Sequence, residues 1–502
     1  MKQLKLGIIL NYFSIIVTFI IGLIYTPFLI RSLGQEDYGI YALAFAIAGY
    51  LSLLDLGVGN SIVRFISANM VNGTKENERK IIGFFFKVFT YIGVLTLAIG
   101  GLVALNTEKI VSSVFSANQI ENLKVMIWIL TLNFAVGFVF NTFAAVIQAY
   151  ERFVFLKTCN ILRQLLTPLI SVFILFYSSS LILLTLTLFV VNTSILIVNF
   201  IYYKKYLNLK LSFDKLNIDF KKEIVAYSAI IFIVAVADKL YWQTDQILLG
   251  IIESPSEIAI YAVAIQFINI FMSLSIAINS VFLPRITKLV NTENYLVQLN
   301  QLYIKVSKFQ TFIVGLAFSG FIIIGKDFIV LWVGESYTTV YVITLILVST
   351  FFLDLIQNLG LTIMQAEGKY KFRAYTLIIC SILNVLISIP IIKVYGSIGT
   401  AVVTAIFVLI GNVIILNVYF HKVIKLNMKA YWSEIGRFLI VISLITVSGY
   451  FSLGNIEVNN WFTLFGIVTI YSILYCLGVF IFYLSKKDRG VIINLIKNRF
   501  VK

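Results

Sequence analysis

Residues 180–203 read SLILLTLTLFVVNTSILIVNFIYY, a run of twenty-four residues without a charged side chain. A bilayer core about 30 Å thick is spanned by about 20 apolar residues in a helix, which also satisfies its own backbone hydrogen bonds. Fourteen such runs occur, at residues 6–30, 38–63, 81–105, 122–149, 155–177, 180–203, 224–252, 258–283, 307–333, 339–365, 373–394, 397–420, 435–453 and 461–484. They predict an all-α polytopic membrane protein with about fourteen transmembrane helices.

The composition agrees with lipid as the main solvent of the chain. Of its 502 residues, 60% are hydrophobic and 12% are charged, whereas about 25% of the residues of a soluble domain are charged. The net charge of +16 is also typical of nucleic-acid-binding proteins, but these present a basic face on a soluble fold, so no nucleic-acid partner is expected. Three cysteines within apolar runs and a single histidine argue against disulfides, a metal site or a cofactor held by such ligands.

The basic residues are distributed very unequally between the two sides of the predicted membrane. The segments on the side of the N-terminus carry 33 lysines and arginines, the opposite segments carry 5, and Lys239 lies within a span. Basic residues accumulate in cytoplasmic loops, so both termini are predicted to be cytoplasmic. A basic cytoplasmic face is also expected to bind anionic membrane lipids.

The chain contains an internal repeat. The sequence IYALA at 40–44 recurs as IYAVA at 260–264, and QA at 148–149 recurs at 365–366, which are offsets of 220 and 217 residues. Six spans per repeat keep both copies in one orientation, an architecture that transporters use with a binding site at the repeat interface. The predicted divisions are an N-terminal six-helix bundle at 1–205, a cytoplasmic linker at 206–223, a C-terminal six-helix bundle at 224–422, and a terminal helix pair with a basic tail at 423–502.

The seventh span carries a wide polar stripe. On a helix, Asp238, Trp242 and Asp245 share one face, while Lys239 and Gln243 lie on the adjacent face. Ionisable residues inside a membrane are costly and mark functional sites by default. The stripe therefore either lines a cavity or is satisfied against neighbouring helices.

The tenth span carries a second polar stripe. Asp354, Asn358 and Gln365 lie on one face, and the matching positions of the fourth span include Asn141 and Gln148 but no acid. An acid present in only one copy of the repeat is consistent with a proton or cation site, and equally with an aspartate hydrogen-bonded for helix packing.

Further charges lie within or near the ends of other spans. Asp55 lies inside the second span, and Arg64, Arg163 and Arg285 lie near predicted cytoplasmic ends. These arginines either extend to the lipid headgroups or face an anionic substrate.

Several of these residues belong to motifs shared with a known family. The motifs are PFLIRSLGQEDYGIY at 27–41, LDLG at 54–57 followed by Arg64, QAYER at 148–152, the seventh-span acid with LLG at 248–250, and PRI at 284–286. They resemble the polysaccharide transporter branch of the multidrug/oligosaccharidyl-lipid/polysaccharide exporter superfamily, the Wzx-type flippases. The resemblance covers essentially the whole chain.

The resemblance implies an alternating-access carrier in the bacterial cytoplasmic membrane, not an enzyme. Its expected cargo is an undecaprenyl-pyrophosphate-linked repeat unit for O-antigen, capsule or another surface polysaccharide. The carrier moves this unit to the outer leaflet, and polysaccharide assembly proteins are its expected partners. Binding of this cargo requires cations for the pyrophosphate, and amides and an aromatic ring for the sugars. The candidate cavity residues are Arg64, Asn141, Gln148, Arg163, Lys239, Trp242, Gln243, Arg285, Asn358 and Gln365. Asp55, Asp238, Asp245 and Asp354 are the candidates for coupling to a proton or sodium gradient.

Three other functions remain open at this point. A cation-coupled multidrug antiporter of the same superfamily would use mid-membrane aspartates, although its usual form has twelve helices. A lipid II flippase would carry a related lipid diphosphate. A membrane glycosyltransferase or polymerase would need an acidic pair such as Glu36 and Asp37 in the first outer loop, where the alternative is a helix-end acid pair.

Overall fold

A computed structural model describes residues 2–214, 216, 218–290, 292–454, 456–484 and 489. This part of the chain forms helices and no strands. The α-helices are α1 Lys2–Leu33, α2 Gln35–Leu51, α3 Val58–Asn72, α4 Lys75–Leu105, α5 Thr107–Ile110, α6 Ala117–Ala149, α7 Phe153–Leu175, α8 Leu181–Tyr202, α9 Ile218–Ile252, α10 Pro255–Val290, α11 Tyr295–Val333, α12 Thr338–Ile356, α13 Leu359–Ala366, α14 Lys371–Val408, α15 Leu416–Lys422, α16 Met428–Leu453 and α17 Trp461–Gly478.

The membrane-spanning character of the chain is confirmed. Thirteen helical segments of the described residues are long and apolar enough to cross a bilayer. One of them covers 52 residues, Lys371–Lys422, and its helical path is interrupted at Gly396, which has φ 53° and ψ −140°. This segment contains two of the predicted spans, 373–394 and 397–420, which accounts for the difference between thirteen segments and fourteen predicted helices.

The second span differs from its prediction as one continuous helix over 38–63. Helix α2 ends at Leu51, a 3₁₀ turn covers Ser52–Asp55, and Leu56 and Gly57 have φ values of 51° and 73° before α3 begins. A Cβ atom on Gly57 would lie 2.6 Å from the Ser228 carbonyl oxygen of α9. A glycine is therefore favoured by the left-handed backbone and required for the close approach of α9.

The helices group into two compact units. The first consists of Met1–Ala262 with Ile389–Gly396, and the second of Val263–Ser388 with Ser397–Lys502. Helix α9 thus lies in the first unit, although the sequence repeat pairs it with α1. The domain boundaries drawn from the repeat stay a prediction.

In the first unit, glycines allow α4 and α6 to pack closely. A Cβ on Gly93 would lie 3.0 Å from the Ala135 carbonyl oxygen, and one on Gly100 would lie 2.2 Å from the Thr131 hydroxyl. Small residues at such crossings are the usual means of helix association in membranes, where burial of apolar surface adds little. The α4–α6 pair supports an aromatic core that includes the fully buried Phe85.

The segment that follows α8 is anchored on the N-terminal part of α4. Leu209 and Leu211 pack against the same core, and the Ser212 amide donates to the Arg79 carbonyl oxygen at 3.2 Å. A Cβ on Gly83 would lie only 1.9 Å from the Ser212 carbonyl oxygen. Contact between the two backbones therefore depends on a glycine at position 83.

Gly83→Ala is expected to lower the free energy of unfolding by about 1–3 kcal/mol, because the added methyl group forces two backbones apart. Gly436→Ala is the matched control, since a Cβ at this helical position meets no atom within 4 Å and alanine is favoured over glycine in a helix by about 1 kcal/mol. Thermal unfolding in detergent measures the stability of each variant. Equal stability of the two variants would contradict the close contact.

In the second unit, α16 and α17 pack on α11. The Tyr475 hydroxyl donates to the Phe312 carbonyl oxygen at 3.1 Å, and Phe438, Ile442 and Tyr471 surround it in a buried cluster. The two terminal helices are thus an integral part of this unit.

Candidate functional site

A polar cavity opens between α6, α7 and α8 of the first unit. Its volume is about 520 Å³, within the range of about 300–1,000 Å³ that is typical of ligand sites. It is lined by Asn133, Phe134, Gly137, Phe138, Asn141, Arg163, Gln164, Thr167, Leu188, Asn192 and Leu196. The lining contains one cation, four amide side chains and no carboxylate.

Hydrogen bonds to neutral groups hold the arginine in place. The Arg163 Nη1 atom donates to Asn192 Oδ1 at 3.2 Å, and Asn192 Nδ2 donates to Asn133 Oδ1 at 2.7 Å. On the next position of α7, Gln164 Oε1 accepts a hydrogen bond from the Ser14 hydroxyl at 2.9 Å. The amides orient the guanidinium without neutralising it, so the cavity keeps its positive charge.

Sequence reasoning identified part of this cavity. Asn141 and Arg163 were candidates, and the structure brings them to one site. Asn133, Gln164 and Asn192 were missed. The spacing of Asn133, Gly137 and Asn141, which is i, i+4 and i+8, was a usable signal, because it places them on one face of α6.

Other candidates of the first unit lie outside this cavity. The guanidinium of Arg64, on α3, lies 3.5 Å from Glu223 and 4.3 Å from the ring centre of Tyr227. Both contacts join α3 to α9 at an exposed position. Gln148 is exposed near the end of α6.

The side chains in the polar stripe of α9 differ in their surroundings. The Tyr261 hydroxyl donates to Asp245 Oδ2 at 2.5 Å, and a Cβ on Gly49 would meet the Gln243 amide at 2.3 Å, so these two side chains fix α9 within the unit. Asp238 is exposed, and Lys239 and Trp242 are half-buried.

The break in the second span places an aspartate in an unusual position. Asp55 Oδ2 accepts from the Gly59 amide at 3.3 Å, while Oδ1 is buried and has no hydrogen-bond partner among the residues that the structure describes. A Cβ on Gly59 would lie 3.2 Å from both Asp55 Oδ1 and Asn141 Nδ2. The carboxylate therefore lies beside an amide that lines the cavity, and its unpartnered oxygen makes the charged form costly.

In the second unit, an asparagine connects a half-buried acid to a buried arginine. Asn412 Nδ2 donates to Asp354 Oδ2 at 3.0 Å, and Arg373 Nη1 donates to Asn412 Oδ1 at 2.5 Å. Asn412 lies in a π-helical segment, Leu409–Ile415. Arg373, the first residue of the predicted span 373–394, is 8% exposed, and the three side chains form one network that balances charge.

The remaining candidates of this unit lie elsewhere. Asn358 Nδ2 donates to the Ser275 hydroxyl at 3.5 Å, and Gln365 is exposed at the end of α13. Arg285 lines a separate cavity.

Arg373→Met is expected to destabilise the protein by up to about 3 kcal/mol, because it leaves Asp354 as a half-buried charge without its balancing cation. Adding Asp354→Leu should restore most of this loss, since an apolar pair can replace a buried ionic pair. Arg437→Met, at a side chain that is 68% exposed, is the control and should cost at most about 1 kcal/mol. Thermal unfolding in detergent compares them, and equal losses at positions 373 and 437 would contradict the network.

Comparisons with known proteins agree on one family and one fold. A family model described as "Polysaccharide biosynthesis protein" matches residues 4–290. A putative O-antigen transporter of Shigella flexneri is 22% identical over 418 residues, which are 82% of this chain and 96% of the relative.

Solved structures match the fold over most of the chain. The lipid II flippase MurJ in an inward closed conformation matches with a TM-score of 0.72 and 17% identity, covering 95% of this chain and 99% of MurJ. An inward-facing multidrug resistance MATE family transporter of the MOP superfamily matches with a TM-score of 0.65 and 12% identity, over 80% and 96% of the two chains. At these identities the likeness concerns the fold.

Proposed function

Since the chain belongs to the polysaccharide biosynthesis protein family and its fold matches that of a MOP superfamily transporter, we propose that it flips a lipid-linked oligosaccharide across the membrane. The cargo is an undecaprenyl-pyrophosphate-linked repeat unit of a surface polysaccharide. It moves from the cytoplasmic to the outer leaflet by alternating access.

The cavity of the first unit carries this proposal. A lipid-linked glycan presents a diphosphate, which pairs with an arginine through charge-assisted hydrogen bonds, and sugar hydroxyls, which bond to amides. Arg163 lies beside Asn133, Asn141 and Asn192 in one cavity without an acid. A site with this lining favours an anion that also carries hydroxyl groups.

The same lining argues against a cation-coupled multidrug antiporter as the alternative. An organic cation would meet the uncompensated charge of Arg163 and no carboxylate in this cavity, which is repulsive. A lipid II flippase remains the closer alternative, because its cargo shares the lipid diphosphate. A transport assay with both cargoes separates them by their glycans.

The surroundings of the acidic pair in the first loop favour a structural role over a catalytic one, and so favour a transporter over a glycosyltransferase. Glu36 and Asp37 lie in the first turn of α2, where acids stabilise a helix start. Glu36 also accepts a hydrogen bond from Gln119 at 2.8 Å.

Among the four candidate acids, Asp55 is the best site for coupling to a proton or sodium gradient. Asp245 accepts a hydrogen bond from Tyr261, and Asp354 is joined to Arg373 through Asn412. Asp55 instead has a buried oxygen without a partner in the described part of the chain, and it lies in a discontinuous helix of the kind that binds coupling ions in transporters. Its position beside Asn141 would let ion binding act on the cavity.

We place the protein in the bacterial cytoplasmic membrane with both termini in the cytoplasm. The support is the excess of basic residues in the segments on the side of the termini. In this orientation the chain receives its cargo where lipid-linked sugars are assembled, and polysaccharide assembly proteins act on it afterwards.

Reconstitution of the purified chain into proteoliposomes tests the proposal. A labelled undecaprenyl-pyrophosphate oligosaccharide placed in one leaflet should reach the other leaflet faster than in protein-free vesicles. Labelled lipid II and a fluorescent organic cation are the comparison cargoes. Transfer of the cation alone would contradict the flippase assignment, and preference for lipid II would favour the second candidate.

A further inference from the structure

A second cavity lies in the other unit, at the junction of α10 and α11. Its volume is about 240 Å³, and it is lined by Arg285, Lys288, Leu289, Thr292, Gln298 and Leu302. Arg285 and Lys288 are three residues apart, so they project from one face of α10. The cavity therefore has two cations on one wall and no acid in its lining.

These two cations differ from cations near the ends of other predicted spans. Arg64 contacts Glu223, and Lys308 contacts Glu434 at 2.5 Å. Within the described part of the chain, no carboxylate lies within 4.0 Å of Arg285 or Lys288. Their charges are thus available to an external anion.

The surroundings favour an anion that is attached to a lipid. The predicted span 258–283 ends two residues before Arg285, which places the pair at the level of the headgroups. Leu289 and Leu302, from the two flanking helices, belong to the cavity lining itself, and they provide apolar surface for acyl or isoprenoid chains. A soluble anion would use the cations but not this apolar surface.

We propose that the α10–α11 cavity is a binding site for the phosphate of a lipid headgroup. Arg285 and Lys288 contact the phosphate oxygens, and the Gln298 amide is available as a further donor. Thr292 is less suited to donate, because its hydroxyl bonds the Leu289 carbonyl oxygen at 2.7 Å. The phosphate belongs either to an anionic membrane lipid or to the lipid carrier of the proposed cargo, and only the second source rests on the proposed function.

The test measures lipid binding by the purified full-length protein in an uncharged detergent. Native mass spectrometry gives the apparent Kd for phosphatidylglycerol and, separately, for undecaprenyl diphosphate. The double variant Arg285→Gln/Lys288→Gln should bind at least one of them roughly 10- to 30-fold more weakly, because each cation at a membrane surface contributes about a fivefold change. The charge-conserving variant Arg285→Lys/Lys288→Arg should retain most of the affinity.

Lys422→Gln/Lys425→Gln is the matched control, because it removes two exposed lysines with the same spacing. Its affinities should equal those of the unmodified protein. A loss confined to phosphatidylglycerol assigns the site to membrane lipids, and a loss confined to undecaprenyl diphosphate assigns it to the cargo carrier. Unchanged binding of both lipids by the Arg285/Lys288 variant overturns the proposal. Binding is measured without transport, so a failure of the proposed flippase activity leaves this result unaffected.

Discussion

Arg163→Gln is expected to reduce the initial rate of glycan transfer in proteoliposomes by at least about 30-fold, because losing one member of a hydrogen-bonded charge pair costs about 2–5 kcal/mol. Arg163 is the one cation in the lining of the first-unit cavity. Glutamine keeps a donor for Asn192 but loses the charge that a diphosphate requires.

Two further variants make this result specific. Arg163→Lys keeps the charge but loses the bidentate geometry of a guanidinium. Its transfer rate should therefore fall between those of the unmodified protein and Arg163→Gln. Lys109→Gln removes an exposed cation outside the cavity, and its rate should not change. Normal transfer by Arg163→Gln, in protein that unfolds at the usual temperature, would exclude the cavity as the diphosphate site.

Asp55→Asn is expected to abolish the response of transfer to an ion gradient. A membrane potential of 100 mV is worth about 2.3 kcal/mol per charge, so coupling to one cation shifts the steady-state leaflet ratio about 50-fold. Asparagine keeps an oxygen for the Gly59 amide but binds neither a proton nor a sodium ion as a carboxylate does. The variant should therefore equilibrate the cargo to the same ratio with and without the gradient.

Asp245→Asn is the matched control, because asparagine still offers an oxygen to the Tyr261 hydroxyl. It should retain the gradient-dependent ratio. The measurement is the fraction of labelled lipid in each leaflet at steady state, under imposed proton and sodium gradients in turn. Coupling that survives Asp55→Asn but disappears in Asp245→Asn would transfer the role to α9.

The candidate site was predictable only in part. Arg163 and Asn141 could be chosen because charged and amide side chains within apolar runs are rare and costly. Nothing in the sequence distinguishes Asn192 from the other residues of its apolar run. Only its hydrogen bonds to Arg163 and Asn133 show that it belongs to the cavity. These bonds join three different helices, and the periodicity of one helix does not identify the helix that it faces.

The break at Ser52–Gly57 illustrates a second limit. Hydropathy predicts one span over 38–63, because Leu53, Leu54 and Leu56 are as apolar as their neighbours. The left-handed backbone at Leu56 and Gly57 lies where α9 makes its close approach to Gly57. Tertiary packing therefore decides where this helix ends.

The sequence by itself determined that the chain is an all-α membrane protein, because the length of an apolar run and the need to satisfy backbone hydrogen bonds in lipid leave little choice. It also indicated the family through its motifs. Only the tertiary structure decided which polar groups meet. Arg163 keeps its charge beside two asparagines, whereas the charges of Asp354 and Arg373 are balanced through Asn412. The physical reason is that a polar group in the membrane is satisfied by its neighbours in space, and these come from distant parts of the chain.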